Sequence, residues 1–198
     1  AFHVDVTEQE RANADFGIDI DTTSTLFVTS QLQLIKEKEF ANAYFKAGVW
    51  GRDFTGVETE EKVTGNNKFI CWDKDGSDPY QDIRVGRMHI KKTTGYRPNK
   101  LVIAEEVFEV LKMHPKVKEM YKYTNADSIT TEMLAKYFGI KEVLVAGAIE
   151  NIAGEGAEEN MQFFLNNGVL LTYAAKKPGL RIPTGGYTFS WIGGDMAG

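Results

Sequence analysis

From about Thr23 to Lys46 the sequence has a helical pattern whose apolar residues do not gather on one face. Val28, Leu32 and Ile35 fall on one side of the wheel, and Phe27, Leu34, Ala41 and Phe45 on another. A helix that is apolar on two faces must be covered on two sides. The segment therefore reads as an element crossing the middle of a domain, not as a helix lying on a core. Asp21 or Thr22 offers an N-cap oxygen, and Gly48 is the expected residue just past its C-terminus.

Around this helix the chain changes character. Residues 1–20 alternate loosely through Phe2, Val4 and Val6 and then turn polar, as the end of a strand or an extended arm would. Residues 51–77 are rich in turn formers (Gly51, Gly56, Gly65, Asn66, Asn67) around the short apolar pieces 54–57 and 69–72. So long a connection predicts an exposed loop or a loose hairpin. Ser77 or Asp78 as N-cap, with Pro79 next, starts another helix that Gly95 stops.

From Asn99 the pattern becomes compact α/β. Residues 100–104 form a buried-type strand, and Glu105 and Glu106 open a helix burying Val107, Val110 and Leu111 that His114-Pro115 breaks. Thr130 caps a short helix, 131–138, closed by Gly139; Val143–Ile149 is a second apolar strand. Met161–Leu165 and Val169–Tyr173, joined by Asn166-Asn167-Gly168, predict a hairpin. Tyr187–Ile192 predicts a last strand. The first residue is Ala1 and the tail after Ile192 is glycine-rich, so both ends look cut from something longer.

The chemistry-bearing residues form no recognisable site. Asp73-Lys74-Asp75-Gly76-Ser77-Asp78 begins like a calcium loop, but the positions that need glycine and glutamate hold Asp78 and Arg84. Gly154-Glu155-Gly156 would have to open a helix to cradle a pyrophosphate, and Glu155, Glu158 and Glu159 would repel one. Cys71, His3, His89 and His114 show neither a nucleophile signature nor zinc spacing. The sequence accordingly assigns no catalytic, cofactor-binding or metal-binding residue, and the chain is read as not an enzyme.

The net charge of -5 argues against a nucleic-acid grip, and Lys112, Lys116, Lys118 and Lys122 are interrupted by Glu109 and Glu119, as on a solvated helix face. The single Cys71 excludes an internal disulfide and fits a reducing compartment. The sequence has no apolar run long enough to span a bilayer, so no membrane partner is expected.

Taken in order, several segments between about Ala12 and Trp191 carry a family likeness. They are 15–45, Gly48-Val49-Trp50-Gly51, Ser77–Ile83, Thr94-Gly95-Tyr96-Arg97-Pro98-Asn99 with 100–103, Leu111–Pro115, Glu142–Ala148 and Pro183–Trp191. The chain resembles the major capsid proteins of tailed bacteriophages. That resemblance implies an α+β capsid fold of the Hong Kong 97 type, with a peripheral domain of spine helix plus sheet and an axial α/β domain. It makes 1–20 the end of an extended loop, 21–95 and 177–198 the peripheral domain (spine helix 22–47), and 96–176 the axial domain. The implied function is a structural subunit that self-assembles into hexamers and pentamers of an icosahedral, DNA-containing shell in the virion. Assembly would take place in the bacterial host cytoplasm. The implied partners are other copies, scaffold, portal or decoration proteins, and packaged DNA held non-specifically. The family's lysine–asparagine cross-link maps onto no residues here. The alternatives are an encapsulin-like nanocompartment shell and a small α/β enzyme with a site built from loop carboxylates and His114.

Overall fold

A computed structural model describes residues 3–13, 19–122, 129–177 and 179–187. In chain order the elements begin with α1 (Glu8–Asn13), α2 (Ile20–Tyr44), β1 (Thr55–Val57), β2 (Lys68–Ile70) and α3 (Pro79–Thr94). There follow β3 (Lys100–Ala104), α4 (Glu105–Met113), α5 (Pro115–Tyr121), α6 (Thr131–Phe138), β4 (Glu142–Ala146), β5 (Ile149–Asn151), β6 (Met161–Phe163) and β7 (Val169–Thr172). This mixture of helix and sheet is the expected α+β class. The chain divides into two compact units, Ala1–Gly51 with Gly147–Leu165, and Arg52–Ala146 with Asn166–Gly198, each taken in its described part.

In the first unit, α1 lies where the sequence reading expects an arm or a strand end. Its cause is a capping box: the Thr7 hydroxyl accepts the Glu10 N–H at 3.2 Å, and the Glu10 carboxylate accepts the Thr7 N–H at 2.8 Å. α2 starts earlier than expected, because Asp19, not Asp21 or Thr22, takes the Thr22 N–H at 3.1 Å. Its C-cap is Phe45; Gly48 is left-handed (φ 82°) but lies three residues further on. The half-buried positions Ile20, Ser24, Val28, Gln31, Leu34, Ala41 and Phe45 recur at helical spacing, so one face is partly covered. None of the residues of α2 is buried. β5 and β6 pair antiparallel with Glu150 opposite Gln162, and an ion pair from Lys38 to Glu150 ties this hairpin to α2.

The second unit is built on the sheet β4-β3-β7. The central strand β3 runs parallel to β4 (Leu101 opposite Val143) and antiparallel to β7 (Leu101 opposite Leu171). Leu101, Ile103 and Ala104 are wholly buried, as a continuous apolar run in a covered strand should be. The parallel pair requires a crossover, which α4, α5 and α6 supply, and they close the core with Leu111, Val117, Leu134 and Phe138. Each such side chain contributes about 1.5–3 kcal/mol by leaving water. α3 packs on β7 at Gly86, where a Cβ would stand 3.2 Å from Leu171 Cδ2.

Three expectations are corrected. The predicted hairpin of 161–165 with 169–173 does not form, because β6 pairs with β5 and β7 with β3. Asn167 does take the left-handed turn (φ 49°), yet the turn redirects the chain from one sheet to another. The Val143–Ile149 strand stops at Ala146, and Ile149 opens β5 in a different sheet. Residues 51–77 are neither a free loop nor an antiparallel hairpin: β1 and β2 pair parallel, Trp72 and Ser77 are buried, and Phe69 packs on the core. The expected strand Tyr187–Ile192 lies, after Tyr187, outside the described residues.

Candidate functional site

A cluster of hydrogen-bonded polar side chains forms where α4 meets α5. Pro115 disfavours helical geometry for the residue before it, and His114 adopts φ -63°, ψ 129°. There the His114 side chain becomes the N-cap of α5, its Nδ1 accepting the Lys116 N–H at 3.2 Å. On the other side of the ring, Nε2 lies 3.1 Å from Ser77 Oγ. Both residues are buried. Beside them Asp78 caps α3 through the Gln81 N–H (3.0 Å) and pairs with the Lys116 ammonium at 2.8 Å.

A serine, a histidine and an aspartate so placed invite comparison with a nucleophile set, and the hydrogen bonds refuse it. Because Nδ1 accepts, the proton sits on Nε2, so His114 donates to Ser77 Oγ. Ser77 in turn donates to the Lys74 carbonyl at 2.7 Å. The histidine therefore cannot take the serine proton, and Asp78 is bound to Lys116 instead of the ring. Burial, then the charge of Lys116, holds His114 below its ordinary pKa against the pull of Asp78. Burial pushes the Asp78 carboxyl up, but the Lys116 hydrogen bond and the Gln81 N–H outweigh it and leave it below the usual range. Burial raises Asp82, which accepts the Trp72 indole N–H at 2.9 Å. The cluster is a structural knot joining the 72–78 turn to two helices.

A cleft of about 700 Å³ opens beside it, lined in part by Arg87, Lys116, Glu119, Lys136 and Tyr137. Arg87 is engaged by the Phe138 carbonyl and Lys116 by Asp78, and the Tyr137 hydroxyl is pushed up to about 12 by burial and then by nearby Asp78. Such a phenol is a poor base at neutral pH. The remaining sequence candidates are not brought together. His3 faces Asp5 at 3.7 Å, His89 sits within α3, and Cys71 backs onto Gly56, where a Cβ would come within 2.8 Å of its sulfur. Lys74 pairs with Asp73 in the calcium-like stretch, and the Gly154 turn links β5 to β6. Among the described residues no cluster of His, Cys, Asp or Glu could hold a metal, and no helix is long and apolar enough to cross a membrane.

The surface feature with most chemical consequence is α2. Leu26 is 65% exposed, Phe27 50%, and Leu32, Ile35, Phe40 and Tyr44 each more than 40%. Of these the sequence pattern names Phe27, Leu32 and Ile35, and it expects a helix covered on two sides in the middle of a domain; the described residues instead leave these side chains about half exposed.

Comparison with known proteins gives these observations a context. The family described as phage major capsid protein E matches residues 53–183. A major capsid protein of Burkholderia phage BcepMu is 25% identical over 139 residues, which is 70% of this chain and 43% of that protein. The crystal structure of a phage-related protein from Bordetella bronchiseptica RB50 aligns at a TM-score of 0.69 with 26% identity, over 87% of this chain and 54% of the other. The chain thus spans about half the length of the relatives it matches.

Proposed function

The chain belongs to the phage major capsid protein E family, and from that premise we propose that it is a structural subunit of an icosahedral phage shell, not an enzyme. Its fold is then the Hong Kong 97-type capsid fold, with α2 (Ile20–Tyr44) as the spine helix. Residues 1–20 are the end of the extended loop, 21–95 and 177–198 the peripheral domain, and 96–176 the axial domain. Its partners are copies of itself in hexamers and pentamers, with scaffold, portal or decoration proteins added, and DNA is enclosed without being gripped. It resides in the virion after assembly in the host cytoplasm.

The observation that carries this reading is the 25-residue helix with no buried residue. Apolar area left in water forgoes about 25 cal/mol per Å², and large exposed apolar faces mark interaction surfaces. A shell supplies such cover from neighbouring subunits in repeated contacts. The polar knot at His114 supports the same reading, since its groups are consumed in holding helices. Electron microscopy and sedimentation of the complete protein expressed alone test it. Closed particles or capsomer rings are expected; a small soluble oligomer that turns over a substrate would contradict it.

A further inference from the structure

The charges of the last third of the chain are segregated. From Glu142 to Ala175 there are five glutamates and no lysine or arginine; from Lys176 to Tyr187 there are Lys176, Lys177 and Arg181 and no carboxylate. Two of the glutamates are engaged, Glu142 by Lys100 and Glu150 by Lys38. The other three, Glu155, Glu158 and Glu159, stand exposed on the loop between β5 and β6, with no ion-pair partner among the described residues. Exposed Ile152 (48%) and Met161 (52%) flank them.

The described residues of the basic segment, 176–177 and 179–187, carry no helix or strand and are held at their base. The Gly185 N–H donates to the Tyr173 carbonyl at 2.6 Å, and Thr184 Oγ1 accepts the Ala175 N–H at 3.1 Å. Lys176, Lys177 and Arg181 are exposed on it and unpaired among the described residues. Between them Leu180 is 91% exposed, and Ile182 follows at 45%.

We infer that the acidic β5–β6 loop of one subunit docks on the basic 176–182 loop of a second copy, three carboxylates meeting three cations around an aliphatic contact. This rests on the shell reading above. Isolated exposed ion pairs stabilise little, so the burial of Leu180, Ile182, Ile152 and Met161 supplies the adhesion. The charges set partner and register. Like loops repel, which disfavours a two-fold contact of hairpin with hairpin and favours the head-to-tail contact that closes into rings.

The test uses the complete protein and two charge-reversed variants, E155K/E158K/E159K and K176E/K177E/R181E. All six positions are exposed, and circular dichroism verifies that each variant folds. Each variant alone should lose particle yield by about tenfold or more, and mixing the two should restore six-membered rings, in which the variants alternate and every loop meets its opposite on another copy; a five-membered ring cannot alternate and keeps one like-charged contact. A trapping experiment is independent of yield: Glu158→Cys with Lys177→Cys in a Cys71→Ser background should give a ladder of disulfide-linked oligomers. Unimpaired assembly of either variant alone, failure of the mixture to form six-membered rings, or absence of the ladder overturns the docking while leaving the shell reading intact. A wild-type protein that never assembles removes the shell reading and the docking with it.

Discussion

His114 makes two hydrogen bonds, one from each side of a single ring, and it makes them 37 residues away from Ser77 in sequence. Asparagine can reproduce the Nδ1 acceptor and glutamine can reach toward Ser77, but neither can do both. His114→Ala is expected to lower stability by about 2–3 kcal/mol, from a lost cap and a buried void, with Asn and Gln in between, as chemical denaturation would measure. Because the folded pKa lies below the ordinary 6.5, the unfolded chain takes up the proton first as pH falls. Stability should therefore be level above that value and decline below it, down to the folded pKa, and His114→Gln should remove this decline. Gly139 gives a second test: its φ of 61° and a Cβ that would meet Arg87 Nη1 at 2.8 Å predict that Gly139→Ala costs about 1–3 kcal/mol. Local caps were legible in the sequence, as Asp78 before Pro79 and Thr130 three residues before Met133 show. The Ser77–His114 bond was not, since no local pattern records which turn a distant helix break will meet.

Elements were legible where a buried run or a cap defines them, and illegible where partner choice does. Residues 100–104 read as a covered strand and are one. Asn166-Asn167-Gly168 read as a hairpin turn, and Asn167 has the backbone for it, but β7 gains more beside the central β3, whose Leu101, Ile103 and Ala104 are wholly buried, than beside the short β6, which has no buried residue. The Thr7–Glu10 capping box was in the sequence and outranks the loose alternation around it. α2 separates two consequences of apolar substitution. Leu101→Ala, in the core, should cost about 3–5 kcal/mol in the unassembled protein. Leu26→Ser, at the most exposed large apolar position of α2, should leave the melting temperature of the unassembled protein nearly unchanged and reduce particle yield.

At the scale of the whole molecule, one unit has a buried core around β3, and the other carries a long helix that the described residues leave about half exposed. The two-faced pattern of Phe27, Val28, Leu34 and Ile35 announced the need for cover; on the proposed shell reading the neighbouring subunit provides it, and that has no local signature. If neighbours complete α2, its hydrogen bonds should open easily in the free subunit and become protected on assembly. Amide exchange of the complete protein, unassembled and in particles, measures this directly. Ile20–Tyr44 should gain protection in the particle on the order of 10²-fold or more, for about 3 kcal/mol of added local stability, while β3 and β4 change little. Equal protection of Ile20–Tyr44 in the two states would contradict it.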